Sequence, residues 1–190
     1  MKELNIWCDG ACVPNPGIGG YASIVLEHDV PMFAVMGYEE QTTNNRMEMM
    51  AVIASLEEKD PQVNLRINLY SDSQYVINPM TKGWGRGTNT DLWKRIIYRN
   101  NILDINWIKV KGHSGLRYNE ECDTLATYCM HYKQPRKKIQ YDRIVEYLDI
   151  GKAYENLDRH RQRDSRLVNG FNMKKAPSPV ALCSLDEWLV

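Results

Sequence analysis

Four acids stand where a carboxylate could do chemistry. Asp9 precedes Gly10, Glu48 follows Asn45 by three residues, Asp72 lies between a strand-like run and a helical one, and Asp123 falls near the start of a later helical pattern. Each has an ordinary structural reading as well. Asp9 fits a turn residue, Glu48 the third residue of a capping box, Asp72 a helix N-cap, and Asp123 a negative charge near a helix N-terminus. Their joint placement reads differently. If the strands that end in Asp9 and Asp72 are neighbours and parallel, both carboxylates emerge at one sheet edge, where sites form in α/β folds. Glu48 and Asp123 can reach that edge from flanking helices. Four converging ionised carboxylates repel one another unless cations sit between them. A hard, oxygen-only set suits Mg²⁺, with Mn²⁺ as a substitute. Two such ions, about 4 Å apart, can activate a water and stabilise the leaving oxygen of an in-line attack on a phosphodiester.

The elements that must position these acids follow from periodicity. Residues 4–9 alternate, with Leu4, Ile6 and Cys8 on one side and Asn5, Trp7 and Asp9 on the other, which predicts a strand ending at Asp9-Gly10. Pro14, Pro16, Gly17, Gly19 and Gly20 predict a tight loop. Strands are then expected over 21–27 and 32–38 as an antiparallel meander, a helix over 45–58, and a fourth strand over 64–71. A short helix from Ser73 should be stopped by Pro79. A glycine-marked loop, a helix over 91–100, a fifth strand over 105–110, a loop over 112–115 and a helix over 118–133 complete the series. Three strands followed by alternation predict an α/β fold with a five-stranded mixed sheet flanked by helices. No internal repeat or low-complexity tract interrupts it.

Residues 1–133 read as the catalytic domain and 134–190 as a C-terminal extension with a boundary at Pro135. Ile144, Val145, Tyr147 and Leu148 predict a helix there. Residues 167–190 read as a loosely ordered end unless Trp188 docks. The 190 residues carry 43% apolar and 25% charged side chains, the balance of an ordinary globular protein. No apolar run is long enough to span a bilayer, and Asp9 stands where a signal peptide would be apolar. This predicts an intracellular, cytoplasmic protein with no membrane association. The five cysteines (Cys8, Cys12, Cys122, Cys129 and Cys183) are odd in number and form no C-x-x-C pair, which suggests neither a disulfide framework nor a zinc site; Cys8 and Cys12 read as buried thiols at a strand end rather than a shared metal site, which fits a reducing compartment.

Net charge is zero, yet unevenly spread. Residues 1–132 hold 12 Lys and Arg against 16 Asp and Glu, whereas 133–166 hold 10 against 6. A body that spends acids on cations can still bind a polyanion, so a bare net charge excludes little.

Four blocks resemble the ribonuclease H type 1 family, in order and over roughly residues 4–132. They are Asp9-Gly10-Ala11-Cys12-Val13-Pro14-Asn15-Pro16-Gly17, Thr42-Thr43-Asn44-Asn45-Arg46-Met47-Glu48, Ser71-Asp72-Ser73-Gln74-Tyr75-Val76, and Lys111-Gly112-His113-Ser114-Gly115 followed by Asn119 and Cys122-Asp123. The second block is the most specific. The resemblance implies a ribonuclease H-like fold and endonucleolytic hydrolysis of the RNA strand of RNA–DNA hybrids by a monomer using two Mg²⁺ ions, leaving 5'-phosphate and 3'-hydroxyl ends. It implies Asp9, Glu48, Asp72 and Asp123 as metal-binding acids, and His113 as an aid to proton transfer or product release. Cys12, Asn15, Asn44 and Gln74 would contact the RNA minor groove, Thr43 and Asn89 a DNA phosphate, and Asn119 the substrate. Without the resemblance these residues read as turn and cap formers and His113 as a solvated loop histidine. Trp93 reads as core, and Trp84 could stack on the DNA strand.

The chain departs from the family in two places. The long basic protrusion of many bacterial members shrinks to residues 80–88, with Lys82 and Arg86 as its cations, and the position before Thr42 is Gln41 rather than Arg. Both reduce the cations available to a hybrid. The +4 segment 133–166, with Arg136-Lys137-Lys138 at one end and Arg159, Arg161, Arg163 and Arg166 at the other, could supply phosphate contacts or simply face water. Two competing functions are a DNA-directed nuclease of the same superfamily, against which the 2'-hydroxyl-reading set argues, and a catalytically inactive binding module, against which all four acids argue.

Overall fold

A computed structural model describes residues 2–61, 63–149 and 151–152. Its strands are β1 (Lys2–Cys12), β2 (Gly17–Glu27), β3 (Val30–Thr42), β4 (Leu65–Ser71), β5 (Asp104–Lys109) and β6 (Lys137–Gln140). Its helices are α1 (Asn44–Glu57), α2 (Gln74–Thr81), α3 (Thr90–Ile102) and α4 (Arg117–Tyr132), with a 3-10 turn over Tyr141–Arg143. Residues 145–149 and 151–152 are also helical. No described helix is long and apolar enough to cross a membrane.

The sheet has six strands in the order β5-β4-β1-β2-β3-β6. β1 and β4 are parallel, with Leu4 opposite Ile67 and Cys8 opposite Ser71, and β4 and β5 are parallel as well. β1, β2 and β3 form the expected meander. The five-stranded expectation is corrected by β6, which pairs antiparallel with β3 from Phe33 to Met36. Four residues with one apolar member, Ile139, carry almost no periodic signal. The strand is short and lysine-rich, as suits a sheet edge that must not recruit another chain.

Two further differences have local causes. β2 begins at Gly17, so Gly19 and Gly20 lie in a strand rather than a loop. A Cβ at Gly20 would overlap the backbone of α4 at Ala126 and Met130. The glycine is there because the helix lies directly on the strand. α2 runs through Pro79 to Thr81. The disrupted turn is offset by the Lys82 N–H on the Asn78 carbonyl at 2.8 Å and the Thr81 hydroxyl on the Ile77 carbonyl at 2.9 Å, and by burial of Val76, Ile77 and Pro79 itself.

Each sheet face carries its own core. On one side α1 is buried all the way round from Met47 to Leu56, as a helix between a sheet and other helices must be. It packs on Leu4, Ile6, Cys8, Ile67 and Leu69, and on Leu92, Trp93 and Ile96 of α3. On the other side α4 lays Cys122, Leu125, Ala126 and Cys129 on Ala22, Ile24, Ala34 and Met36. Ile144, Tyr147 and Leu148 join this second core. The compact unit therefore runs Met1–Lys152, past residue 133, and a second unit comprises Ala153–Val190. The Arg159–Arg166 run, Cys183 and Trp188 lie outside the described residues.

Candidate active site

The parallel register decides where the first two acids go. With Cys8 opposite Ser71, Asp9 and Asp72 come next on each chain: Asp72 just past the end of β4, and Asp9 still inside β1, which pairs with β2 as far as Cys12 rather than ending at Asp9. α1 brings the third acid. Its first turn presses on Gly10, where a Cβ would overlap the backbone of Met47 and Glu48, so Glu48 lies directly over Asp9. Thr43 caps this turn by accepting from the Arg46 N–H, and the Asn15 carbonyl oxygen accepts from the Asn44 N–H at 3.2 Å, tying the loop after β1 to the helix start.

One ligand atom each from Asp9, Glu48 and Asp72 lie within 4.8 Å of one another. Asp9 and Glu48 are both 7% exposed. Burial pushes both carboxyls well above their usual range. Asp72 and Asp123 push Asp9 further, against one stabilising bond from the Gly10 N–H at 2.7 Å. Asp9, Asp72 and Asp123 do the same to Glu48, whose Oε1 accepts from the Asn44 amide at 3.4 Å. Glu48 Oε2 is buried with no hydrogen-bond partner among the described residues. A buried acceptor without a donor is costly, and a hard cation among three carboxylates would satisfy it. The donor set fits Mg²⁺ or Mn²⁺.

Asp123 is not one of the three converging acids, but it lines the same cavity from α4 and acts electrostatically on Asp9 and Glu48. The cavity, about 260 Å³, is also lined by Gly10, Cys12, Asn44 and His113. His113 is left-handed, with φ 49°. Its loop is shaped by the Ser114 hydroxyl on the Lys111 carbonyl at 2.6 Å and by the Gly115 N–H on Glu120 at 2.9 Å. Gly112 lies against Asp72, where a Cβ would overlap the carboxylate.

Asn44 lines the cavity and is half-buried, Asn15 is exposed and bonded to the Asn44 N–H, and Gln74 is exposed at the start of α2. Cys12 is buried, its thiol donating to the Pro14 and Thr42 carbonyls. Asn119 is buried with its amide 3.4 Å from Asp72 Oδ2, and its own oxygen has no partner among the described residues. Thr43 and Asn89 are brought together through a residue that sequence reasoning passed over, Arg46. Its guanidinium donates to Asn89 at 3.3 Å and makes two bonds to Asp91 at 3.1 and 2.8 Å, pulling the Asp91 carboxyl down to about 2. The available signal was a cation inside the Asn45-Arg46-Met47-Glu48 block. Trp93 is core, and Trp84 is exposed with Lys82 5.8 Å above its ring.

An RNase H family model matches residues 1–130. The chain belongs to the ribonuclease H family. It is a ribonuclease H, a hydrolase. It is 43% identical over 141 residues to the Ribonuclease H of Thermoanaerobacter sp. strain X514, covering 67% of this chain and 89% of the relative. Among solved structures it is similar to LC9-RNase H1, a type 1 RNase H with the type 2 active-site motif, at 24% identity and a TM-score of 0.62, covering 74% of this chain and 75% of that one. It is also similar to LC11-RNase H1 in complex with an RNA/DNA hybrid, at 20% identity and a TM-score of 0.55, covering 62% and 91%. These two likenesses show the ribonuclease H fold.

Proposed function

We propose that the protein cleaves the RNA strand of RNA–DNA hybrids endonucleolytically, using two Mg²⁺ ions and leaving 5'-phosphate and 3'-hydroxyl ends. The observation that carries this reading is the convergence of Asp9, Glu48 and Asp72 within 4.8 Å, two of them buried, in a cavity that the Asn44 amide also lines. Asp9, Glu48, Asp72 and Asp123 would hold the ions, which supply the Lewis acidity that activates a water and neutralises the leaving oxygen. His113, on its loop at the cavity wall, moves protons between the site and solvent. Asn15, Asn44 and Gln74 hydrogen-bond the 2'-hydroxyl, the group by which a protein tells RNA from DNA. Thr43, Asn89 and Arg46 form a polar cradle suited to one phosphate of the DNA strand. LC11-RNase H1, which shares the fold, has been solved with an RNA/DNA hybrid, and Asn15, Asn44 and Gln74 fit the same class of substrate.

The test offers hybrid, duplex DNA and duplex RNA to the full chain with Mg²⁺. Cleavage of the hybrid's RNA strand alone is expected. A hybrid carrying 2'-deoxy sugars at and beside the cut site should resist cleavage. Efficient cutting of duplex DNA would move the protein to a DNA-directed nuclease, and no cutting of any substrate would make it a binding module.

A further inference from the structure

We propose that Tyr141 is a positioning residue for the acid cluster, holding the first turns of α4 in place from a segment that lies beyond the family match. The proposal rests on the hydrolytic function proposed above.

Tyr141 follows β6 and opens the 3-10 turn. It is anchored on both sides, since Gln140 pairs with Phe33 of β3 and Ile144 is fully buried against the α4 core. Its hydroxyl donates to Glu121 Oε2 at 2.6 Å and accepts from Arg117 Nη2 at 3.1 Å. Arg117 Nε donates to Glu121 Oε1 at 2.9 Å. Three side chains thus close a ring of short, charge-assisted bonds. Arg117 and Glu121 are four residues apart and share one face of α4. Asn119, Cys122 and Asp123 occupy another face of the same turns, and that face carries the acid. Glu120, between them, holds the Gly115 N–H of the His113 loop. A grip on Arg117 and Glu121 therefore sets the height and rotation of Asp123, Asn119 and the loop together.

The Tyr141 ring continues this grip into the sheet. It meets Tyr118 edge-on at 6.2 Å, Tyr118 meets Trp7 at 6.2 Å, and Trp7 stacks on Tyr70 at 4.4 Å with 9° between planes. Trp7 and Tyr70 are opposite each other in the β1–β4 register. They stand two residues before Asp9 and Asp72; Asp9, within β1, shares the face of Trp7, and Asp72 directly follows β4. The four rings form one contiguous layer next to the acids, and it joins the three elements that bear Asp9, Asp72 and Asp123. The family model ends at residue 130, so the last ring comes from the part of the chain that the family does not account for.

The experiment uses the full chain and four measurements: Mn²⁺ affinity by calorimetry without substrate, kcat and KM on hybrid, and Tm. Tyr141→Phe keeps the ring and removes both hydrogen bonds. It should weaken Mn²⁺ binding and lower kcat, each about 3- to 10-fold, the scale of one hydrogen bond, with KM unchanged because Asn15, Asn44 and Gln74 are untouched. Tyr141→Ala should have a larger effect, and if it does not fold, the Phe variant still decides. Glu121→Gln combined with Tyr141→Phe should be little worse than the worse single variant, since both break one ring of bonds. Leu148→Ala, which thins the same core without touching Arg117, Glu121 or the anchors of Tyr141, should lower Tm and leave Mn²⁺ affinity and kcat alone. Wild-type Mn²⁺ affinity and kcat in Tyr141→Phe, well below its Tm, would overturn the proposal, as would fully additive effects with Glu121→Gln. Should the unmodified chain leave hybrid uncut, the function reading fails, while the Mn²⁺ titration still reports on Tyr141.

Discussion

Asp9 and Glu48 are held in the folded chain with carboxyls raised by burial and by their neighbours. In the unfolded chain both return to the ordinary carboxylate range, so the folded state binds more protons at intermediate pH. Stability from these groups is complete below the ordinary range and is lost as pH rises through the raised values. The metal-free protein should therefore lose Tm as pH rises from the ordinary carboxylate range through the raised values, and divalent ions, which bind only the folded arrangement, should restore it. Asp9→Asn removes one of the mutually repelling charges. In EDTA near neutral pH its Tm should equal or exceed that of the unmodified chain, by about 2–4 °C for each kcal/mol relieved, while hybrid cleavage is abolished. A lower Tm in EDTA would mean that Asp9 is held by attractions rather than opposed by its neighbours. His113 contributes differently, lying on the cavity wall in a loop and outside the acid triad. His113→Ala should slow turnover about 10²- to 10⁴-fold, the worth of a general acid or base, and leave Mn²⁺ affinity unchanged. A drop in Mn²⁺ binding would make it a ligand. His113 came only from its family block, whereas the meeting of Asp9, Glu48 and Asp72 was legible from their places beside two strands and a helix start. The contacts of Arg46 were not, because its partners Asn89 and Asp91 lie more than forty residues away and only the fold brings them together.

Strands and helices with strong periodicity were also legible. The apolar spacing of α1 and α4 placed those helices to within a residue of their ends, and the alternation of Leu4, Ile6 and Cys8 found β1, which runs three residues past its expected end at Asp9. The failures came where a residue's local preference was overruled by packing. Gly19 and Gly20 carry turn preference, yet stand in β2 because α4 comes too close for any side chain at Gly20. Pro79 carries helix-stopping preference, yet sits within α2 because its neighbours are buried. β6 carries hardly any preference and exists because the β3 edge offers hydrogen-bond partners. The glycine case makes a prediction at the element scale. Gly20→Ala must drive α4 off β2 or shift the strand, and overpacking of this kind costs about 1–3 kcal/mol. Because Asp123 rides on α4 while Asp9 and Asp72 ride on the sheet, the displacement should also weaken Mn²⁺ binding. Chemical denaturation and a Mn²⁺ titration check both, and an unchanged midpoint would mean that α4 moves freely on its strand.

For the whole molecule the question is where a chain of zero net charge finds cations for a polyanionic substrate. The +4 segment after residue 132 is the obvious reserve, but its first cations are already engaged. Arg136 donates to Glu57 at 2.9 Å and to Glu58 at 3.3 Å, Lys138 pairs with Glu58 at 3.2 Å, and Lys133 pairs with Glu40 at 2.8 Å. Burial alone would raise the Glu57 carboxyl, but bonds from Arg95 and Arg136 outweigh it and hold the pKa below its usual value. The Arg136 and Lys138 pairs fasten the start of β6 to the end of α1, and the contribution of the Glu57 pairs is lost as pH falls through the lowered Glu57 value. Arg136 is therefore committed to the fold, whereas Arg159, Arg161 and Arg163 lie outside the described residues and enter here by charge alone. The two sets should separate in a salt titration of hybrid binding by the full chain. Arg136→Ala should lower stability by about 1 kcal/mol or less, as partly exposed ion pairs do, with affinity and salt slope intact. Replacing Arg159, Arg161 and Arg163 with Ala should weaken binding and flatten the slope by up to about one unit for each phosphate left without its cation, with kcat at saturating hybrid unchanged. If the triple variant keeps both affinity and slope at low salt, the tail cations do not reach the substrate. The catalytic unit then neutralises phosphates with Lys82 and Arg86 and holds the hybrid by its own uncharged amides.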